Sequence, residues 1–258
     1  MASTYPVLVH RWLRDHPGIL HRDLSLYNIM CRIIEKINDQ GKQERRVYGV
    51  LTDYDLSSWT KDLKNDYTKT SQQRTGTPPY MAHELLNGTR ATHLYRHDLE
   101  SLFTIMLLLC ARHTLGYVQR RATREPSCVV MREKNRPYQN WFDEQDYLKL
   151  ADLKSAFFTR YRRIVLSACF GDFLPWLLSV KTQFLKGFSA QGEHASELDM
   201  QQSLGSSAEE IAPFDDETLG GNICYSSFIE PVRRLRGELE GLVIRYDPKE
   251  ISTPSQRD

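Results

Sequence analysis

The 258-residue chain has no surplus charge of either sign. Lys and Arg number 34 against 33 Asp and Glu, a formal net charge of +1. A balance so close to zero gives no electrostatic footprint for nucleic acid, which is therefore not expected as a partner. Paired cysteines are also missing. The five thiols (Cys31, Cys110, Cys128, Cys169 and Cys224) are scattered, odd in number and never spaced CxxC. That excludes the usual zinc spacings and a disulfide framework, and it points to reduced thiols in the cytoplasm or nucleus. No long hydrophobic run occurs. The most apolar stretch, "LFTIMLLLCA" (102–111), is about half of the ~20 residues a bilayer crossing needs, so no membrane partner is expected. The N-terminus "MASTYPVLVH" has no basic segment followed by an apolar one, so it does not read as a signal peptide. Glycine-rich phosphate loops are absent too: no GxGxxG and no VAIK-like lysine occur anywhere, and only twenty residues precede His21.

What is present has the punctuation of a mainly helical domain. Residues 1–20 read as a short helix ending at Pro17-Gly18, and "ILHRDLSLYNIMCRII" as strand, loop and strand. The charged stretch 35–46 interrupts the apolar pattern before "VYGVLTDYDL", which predicts a hairpin with a long polar tip. A Ser/Thr-rich loop spans 60–77, and "PPYMAHELLNG" opens a short helix after two prolines. From 97 to 113 the sequence is apolar on nearly every side, the mark of a central buried helix. Helical segments follow at 138–158 and 172–188. Residues 187–222 hold eight acids, no Lys or Arg, and many Gly and Ser, a composition that predicts a loosely packed, flexible insertion. Helical periodicity returns over 223–246, and 247–258 reads as a disordered tail.

Four short motifs stand in a fixed order: "HRDLSLYN" with its Asp-x4-Asn spacing, "LTDYDL", "GTPPYMAHE" and "HDLES". Each is weak alone. In this order and wording the chain resembles the fungal-type protein kinase family, within the eukaryotic protein kinase-like superfamily, over roughly residues 15–190 and again near 225–246. The resemblance implies a fold that is mainly α: a kinase C-terminal lobe (1–190), with a helical bundle around a buried central helix and a small hairpin carrying the catalytic and metal loops. It implies transfer of a phosphoryl group from ATP to Ser or Thr of a protein substrate, with Mg²⁺.

Residue by residue, Asp23 matches the base that takes the hydroxyl proton, and Asn28 matches a Mg²⁺ ligand on the same loop. Asp53 matches the acid that bridges metal to phosphates, so Asn28 and Asp53 are the expected nucleotide-binding groups. Few protein oxygens suffice, because Mg²⁺ fills its octahedron with phosphate oxygens and water. Thr77 matches a threonine that contacts the base. His21 matches a packing residue, and Arg22 an arginine that pairs with a phosphorylated residue. Thr68, Thr70, Ser71 and Thr75 are unranked choices for that residue. Glu84 matches an acid in a buried ion pair, with Arg233, Arg234 and Arg236 as undistinguished partners. Asp98 matches the carboxylate that holds the catalytic-loop backbone.

The sequence also departs from the family's pattern. Ser25 stands where a lysine usually neutralises the transferring phosphate. Asp55 replaces a glycine, which would add a further carboxylate near the metal. His83 replaces a proline, read as a packing change. With no glycine-rich loop or paired lysine, the expectation is a C-lobe without its ATP-covering N-lobe, an incomplete catalytic domain that leaves an apolar face for a partner to cover. Two alternatives stand beside the kinase. One is a non-catalytic, pseudokinase-like binding module. The other is a small-molecule phosphotransferase of the aminoglycoside-kinase kind, against which "TGTPPYMAHE" argues as a peptide-positioning segment.

Overall fold

In the computed structural model, residues 4–37, 41, 43–60, 76–88, 92–119, 126–132, 137–160, 163–204 and 211–234 are described. The fold over these residues is mainly helical, with three small two-stranded sheets. Helix α1 (Thr4–Asp15) ends at the Pro17-Gly18 turn, and strand β1 (Ile19–Leu20) follows. A single 3₁₀ turn, Leu26–Asn28, leads into β2 (Ile29–Ile37), which pairs antiparallel with β3 (Gln43–Leu51). Strand β4 (Ser58–Trp59) returns to pair with β1, Leu20 opposite Ser58. The charged stretch is thus mostly strand: Glu35–Ile37 and residues 43–46 lie in the ladder, and the tip is shorter than the sequence suggests.

Helix α2 (His83–Asn87) is short and ends in a left-handed Gly88. Helix α3 (Tyr95–Arg112) is the centre of the molecule, with fifteen of its eighteen residues buried. A helix buried on every side needs apolar residues all round, as read from 97 to 113. Around it pack α5 (Tyr147–Thr159), preceded by the single turn α4 (Asn140–Asp143), then α6 (Leu174–Leu204) and α7 (Tyr225–Arg234). Phe103 of α3 meets Phe157 and Phe158 of α5 and Trp176 and Phe184 of α6, with ring centroids 5.6–6.5 Å apart. Burying such rings contributes roughly 1.5–3 kcal/mol each. The Trp176 indole N–H also donates to the Phe228 carbonyl at 2.9 Å, tying α6 to α7.

Two elements differ from the sequence expectation. A second hairpin, β5 (His113–Gln119) with β6 (Pro126–Arg132), follows α3 where no strand was read. The acidic stretch 187–222 is no loose insertion over its described part. Helix α6 continues through it to Leu204, and 211–222 folds back with Leu219 fully buried. Gly187 makes this possible: a Cβ there would lie 2.6 Å from the Leu219 Cβ. The other positions of α6 turned inward here are Ala190, Gln191, His194 and Leu198, all half-buried. Between Phe188 and Leu198 this stripe is small and polar, which hides the helix from a reading based on hydrophobicity. Residues 235–258, including Arg236 and the expected tail, lie outside the described residues, as does most of 60–77.

Candidate active site

The loop between β1 and β2 is built on the carboxylate of Asp98, in the first turns of α3. Its Oδ2 accepts the His21 N–H at 3.1 Å and its Oδ1 the Arg22 N–H at 3.3 Å. Two imidazoles complete the set: His10 Nε2 lies 2.7 Å from Oδ2 and His93 Nε2 2.7 Å from Oδ1. Asp98 is fully buried, as is His10, and His93 nearly so. Burial alone would raise the Asp98 carboxyl, but the charges and hydrogen bonds of His93 and His10 hold it well below the usual carboxylate range. Arg22 sits at φ 70°, a left-handed conformation costly for any residue with a Cβ, and the Asp98 bonds hold it there. Its guanidinium donates to Ser58 Oγ of β4 at 2.6 Å. The residues proposed to pair with it once phosphorylated, Thr68, Thr70, Ser71 and Thr75, lie outside the described residues.

His21 turns its ring away from this anchor and contacts the Thr52 carbonyl at 3.0 Å through Nε2. A carbonyl only accepts, so Nε2 carries the proton. Burial lowers the imidazole below its ordinary value, which favours this neutral form. The contact steadies the residue just before Asp53, itself at φ 63° and exposed. The β2–β3 ladder closes beside it: Thr52 N–H donates to the Asn28 carbonyl at 3.0 Å. Asn28 and Asp53 therefore sit on neighbouring rungs at one end of the hairpin.

Asp23 is held on both sides. Its Oδ1 accepts the Thr77 N–H at 2.9 Å and the Thr77 hydroxyl at 3.1 Å. The Asn28 amide donates to Asp23 Oδ2 at 3.1 Å and to the Asp23 carbonyl at 2.8 Å. Thr77 is delivered by Gly76 (φ 126°), where a Cβ would lie 2.9 Å from Met81 Cγ, so the close turn requires glycine. With Nδ2 committed to Asp23, the carbonyl oxygen of Asn28 is the atom left for a cation. It and the exposed Asp53 carboxylate are hard oxygen donors of the kind Mg²⁺ takes. Asp55 is exposed two residues further on. Among the described residues, no group of three or more His, Cys, Asp or Glu side chains is placed to hold a metal. Ser25 behaves differently from the rest: it is 1% exposed and its Oγ has no hydrogen-bond partner. It is packed inside the loop instead of being presented to a ligand.

The segment after Thr77 is fixed by three buried charges. Glu84 of α2 pairs with Arg96 and has His97 Nε2 3.5 Å away. This arginine lies only twelve residues on in the chain, whereas the side chains of Arg233, Arg234 and Arg236 lie outside the described residues. Burial alone would raise the Glu84 carboxyl; hydrogen bonds from His97 and Arg96 hold it far below its ordinary value. Arg96 also donates to the Asp216 carbonyl at 2.5 Å, and Gln191 bridges Glu84 and Asp216. His83 packs against Phe158 and Phe188 and also forms polar contacts. Its backbone N–H, which a proline would lack, donates to Glu100 at 3.0 Å, and its ring lies 3.3 Å from the same carboxylate. Fully buried Lys154 of α5 donates to the Pro79 and Met81 carbonyls, and burial lowers it to about 8.

Sequence reasoning missed His10, His93, Arg96, His97, Glu100 and Lys154. Lys154 left a signal, since it occupies the buried face of α5 in register with Leu150, Ala151, Phe157 and Phe158. Next to Asn28 and Asp53 in the chain, Tyr27 is 73% exposed and Met30 56%, with Tyr54 and Leu56 also exposed.

No helix among the described residues is long and apolar enough to cross a membrane. No curated protein and no solved structure matches the chain. Residues 6–110, less than half of the chain but enough to span the Asp23 loop, the Asp53 turn, the Thr77 segment and nearly all of α3, match the family model described as fungal protein kinase, and the family resemblance read from the motifs stands over that stretch.

Proposed function

We propose that this chain supplies the C-lobe chemistry of a protein Ser/Thr kinase, phosphoryl transfer from ATP to a hydroxyl of a polypeptide. The observation that carries the reading is the clamped Asp23 carboxylate. Thr77 takes Oδ1 with two hydrogen bonds, while Oδ2 accepts one from Asn28 and keeps room for another. An acceptor hydroxyl placed there gives its proton to Oδ2 as its oxygen bonds to the γ-phosphorus and the bond to ADP breaks. Asn28 and Asp53 would hold Mg²⁺, whose charge neutralises the phosphate oxygens. The segment 76–82, fixed by Lys154, Glu100 and Glu84, is the surface on which a peptide would lie. A buried Ser25 offers no cation to the transferring phosphate, so this charge must come from the metal.

The test supplies what the 258 residues lack. Joined to a lobe bearing a glycine-rich loop and its lysine, the chain is expected to phosphorylate a Ser-containing peptide. Asp23→Asn should then lower turnover by about 10²–10⁴-fold, the size of a lost general base. Wild-type turnover in that variant would remove Asp23 from the role. The exposed apolar side chains beside the loop favour a second reading, a pseudokinase-like module whose partner polypeptide covers Tyr27 and Met30. A joined protein that binds Mg·ATP without transferring phosphate would support it.

A further inference from the structure

Four donors converge on one buried carboxylate, and two of them are histidines that no motif contains. We propose that His10 and His93 are positioning residues that aim Asp98 at the backbone of the catalytic-type loop and so hold Asp23 in place. The inference rests on the role proposed for Asp23, but its geometry stands apart from any reaction. Asp98 has to bond two successive N–H groups, those of His21 and Arg22, one of which belongs to a residue held at φ 70°. A carboxylate free to rotate would satisfy those donors only part of the time, and the left-handed Arg22 would relax. The two imidazoles remove that freedom by fixing one oxygen each, at 2.7 Å.

The two histidines enter from different directions. His10 lies on α1, ahead of the loop, and stacks flat on Tyr95 at 4.9 Å, which sets its ring plane. His93 lies just before α3 and meets His97 edge-on at 5.4 Å; His97 in turn lies 3.5 Å from Glu84. His93 also borders a narrow crevice lined by Arg22, Asp23, Gly76 and Thr77. The loop that carries Asp23 and the segment that carries Thr77 are therefore referenced to one buried point. An ionised carboxylate only accepts, so each histidine presents Nε2–H to Asp98.

The experiment reads the loop directly, by amide hydrogen exchange on the full chain. In His10→Phe and His93→Phe the ring volume stays while a donor is lost. Exchange at the His21 and Arg22 amides is expected to rise about tenfold or more, the scale of one charge-assisted hydrogen bond. The amide of Phe103, deep in α3, should keep its rate. His10→Gln and His93→Gln, which restore an N–H donor, should recover most of the protection. Exchange that rises equally at Phe103, or that does not change at His21 and Arg22, overturns the proposal. Should the Phe variants fail to fold, nitrogen NMR of the unaltered chain decides: protons on Nε2 of both histidines support the clamp, and a proton on Nδ1 alone at either one overturns it. Neither readout depends on turnover, so loss of the kinase reading would leave this result legible.

Discussion

His97 shows how one buried side chain fixes a pH dependence. Its Nδ1 accepts the Leu94 N–H at 3.0 Å, and its Nε2 faces Glu84. Burial lowers it from 6.5 to about 4, with the Arg96 and His93 charges adding to that and Glu84 opposing. Between those values the unfolded chain binds a proton that the folded chain refuses, so stability rises with pH there. The contribution is fully present above about 6.5 and is lost as pH falls toward about 4, a swing of ~3 kcal/mol for this residue. Below that, Glu84, Asp98 and Glu100, all held under their ordinary values, extend the loss. Urea midpoints at pH 7, 5.5 and 4.5 should fall steadily, and the fall should be shallower in His97→Gln. Equal slopes in both proteins would mean that His97 is not the titrating group.

At the scale of elements, the contact between α6 and the 211–222 segment is the one most sensitive to a single methyl group. Gly187→Ala would drive a Cβ into Leu219, which is fully buried and cannot yield without moving its backbone. Overpacking of this kind costs about 1–3 kcal/mol, and chemical denaturation should show it. An unchanged midpoint would mean that the segment does not pack there. Some elements were legible in the sequence for a clear reason. From Leu102 to Ala111 helix α3 is apolar on nearly every side and buried, so local pattern and burial agree there. The second half of α6 was not legible, because its inward stripe is Gly187, Ala190, Gln191 and His194. The site divides in the same way. Asp23, Asn28 and Thr77 were readable because their motifs keep fixed spacing, whereas Arg96, His97 and Lys154 act by carrying charge into helices whose neighbours are apolar. Only the fold brings Glu84 and Glu100 to them.

At the scale of the whole molecule, Asp53 is exposed beside Tyr54 while Asn28 is buried, and the sequence holds no glycine-rich loop to cover a triphosphate. The first part of β2 exposes Met30 and Ile33, which point to opposite faces of the hairpin, an arrangement that a lone two-stranded sheet holds weakly. Isothermal titration of the isolated chain with Mg·ATP is therefore expected to give no binding at micromolar concentrations. A micromolar or tighter Kd would show that the donor pair and its surroundings suffice without a lid. The Asp98 anchor also sets an order of events during synthesis. His21 waits 77 residues for the carboxylate that holds its amide. At ~5–20 residues per second, the ribosome keeps the Asp23 loop without its anchor for roughly 4–15 s. The newborn chain thus spends that interval with the Asp23 loop unanchored, and the loop gains its anchor only when the start of the central helix has been made.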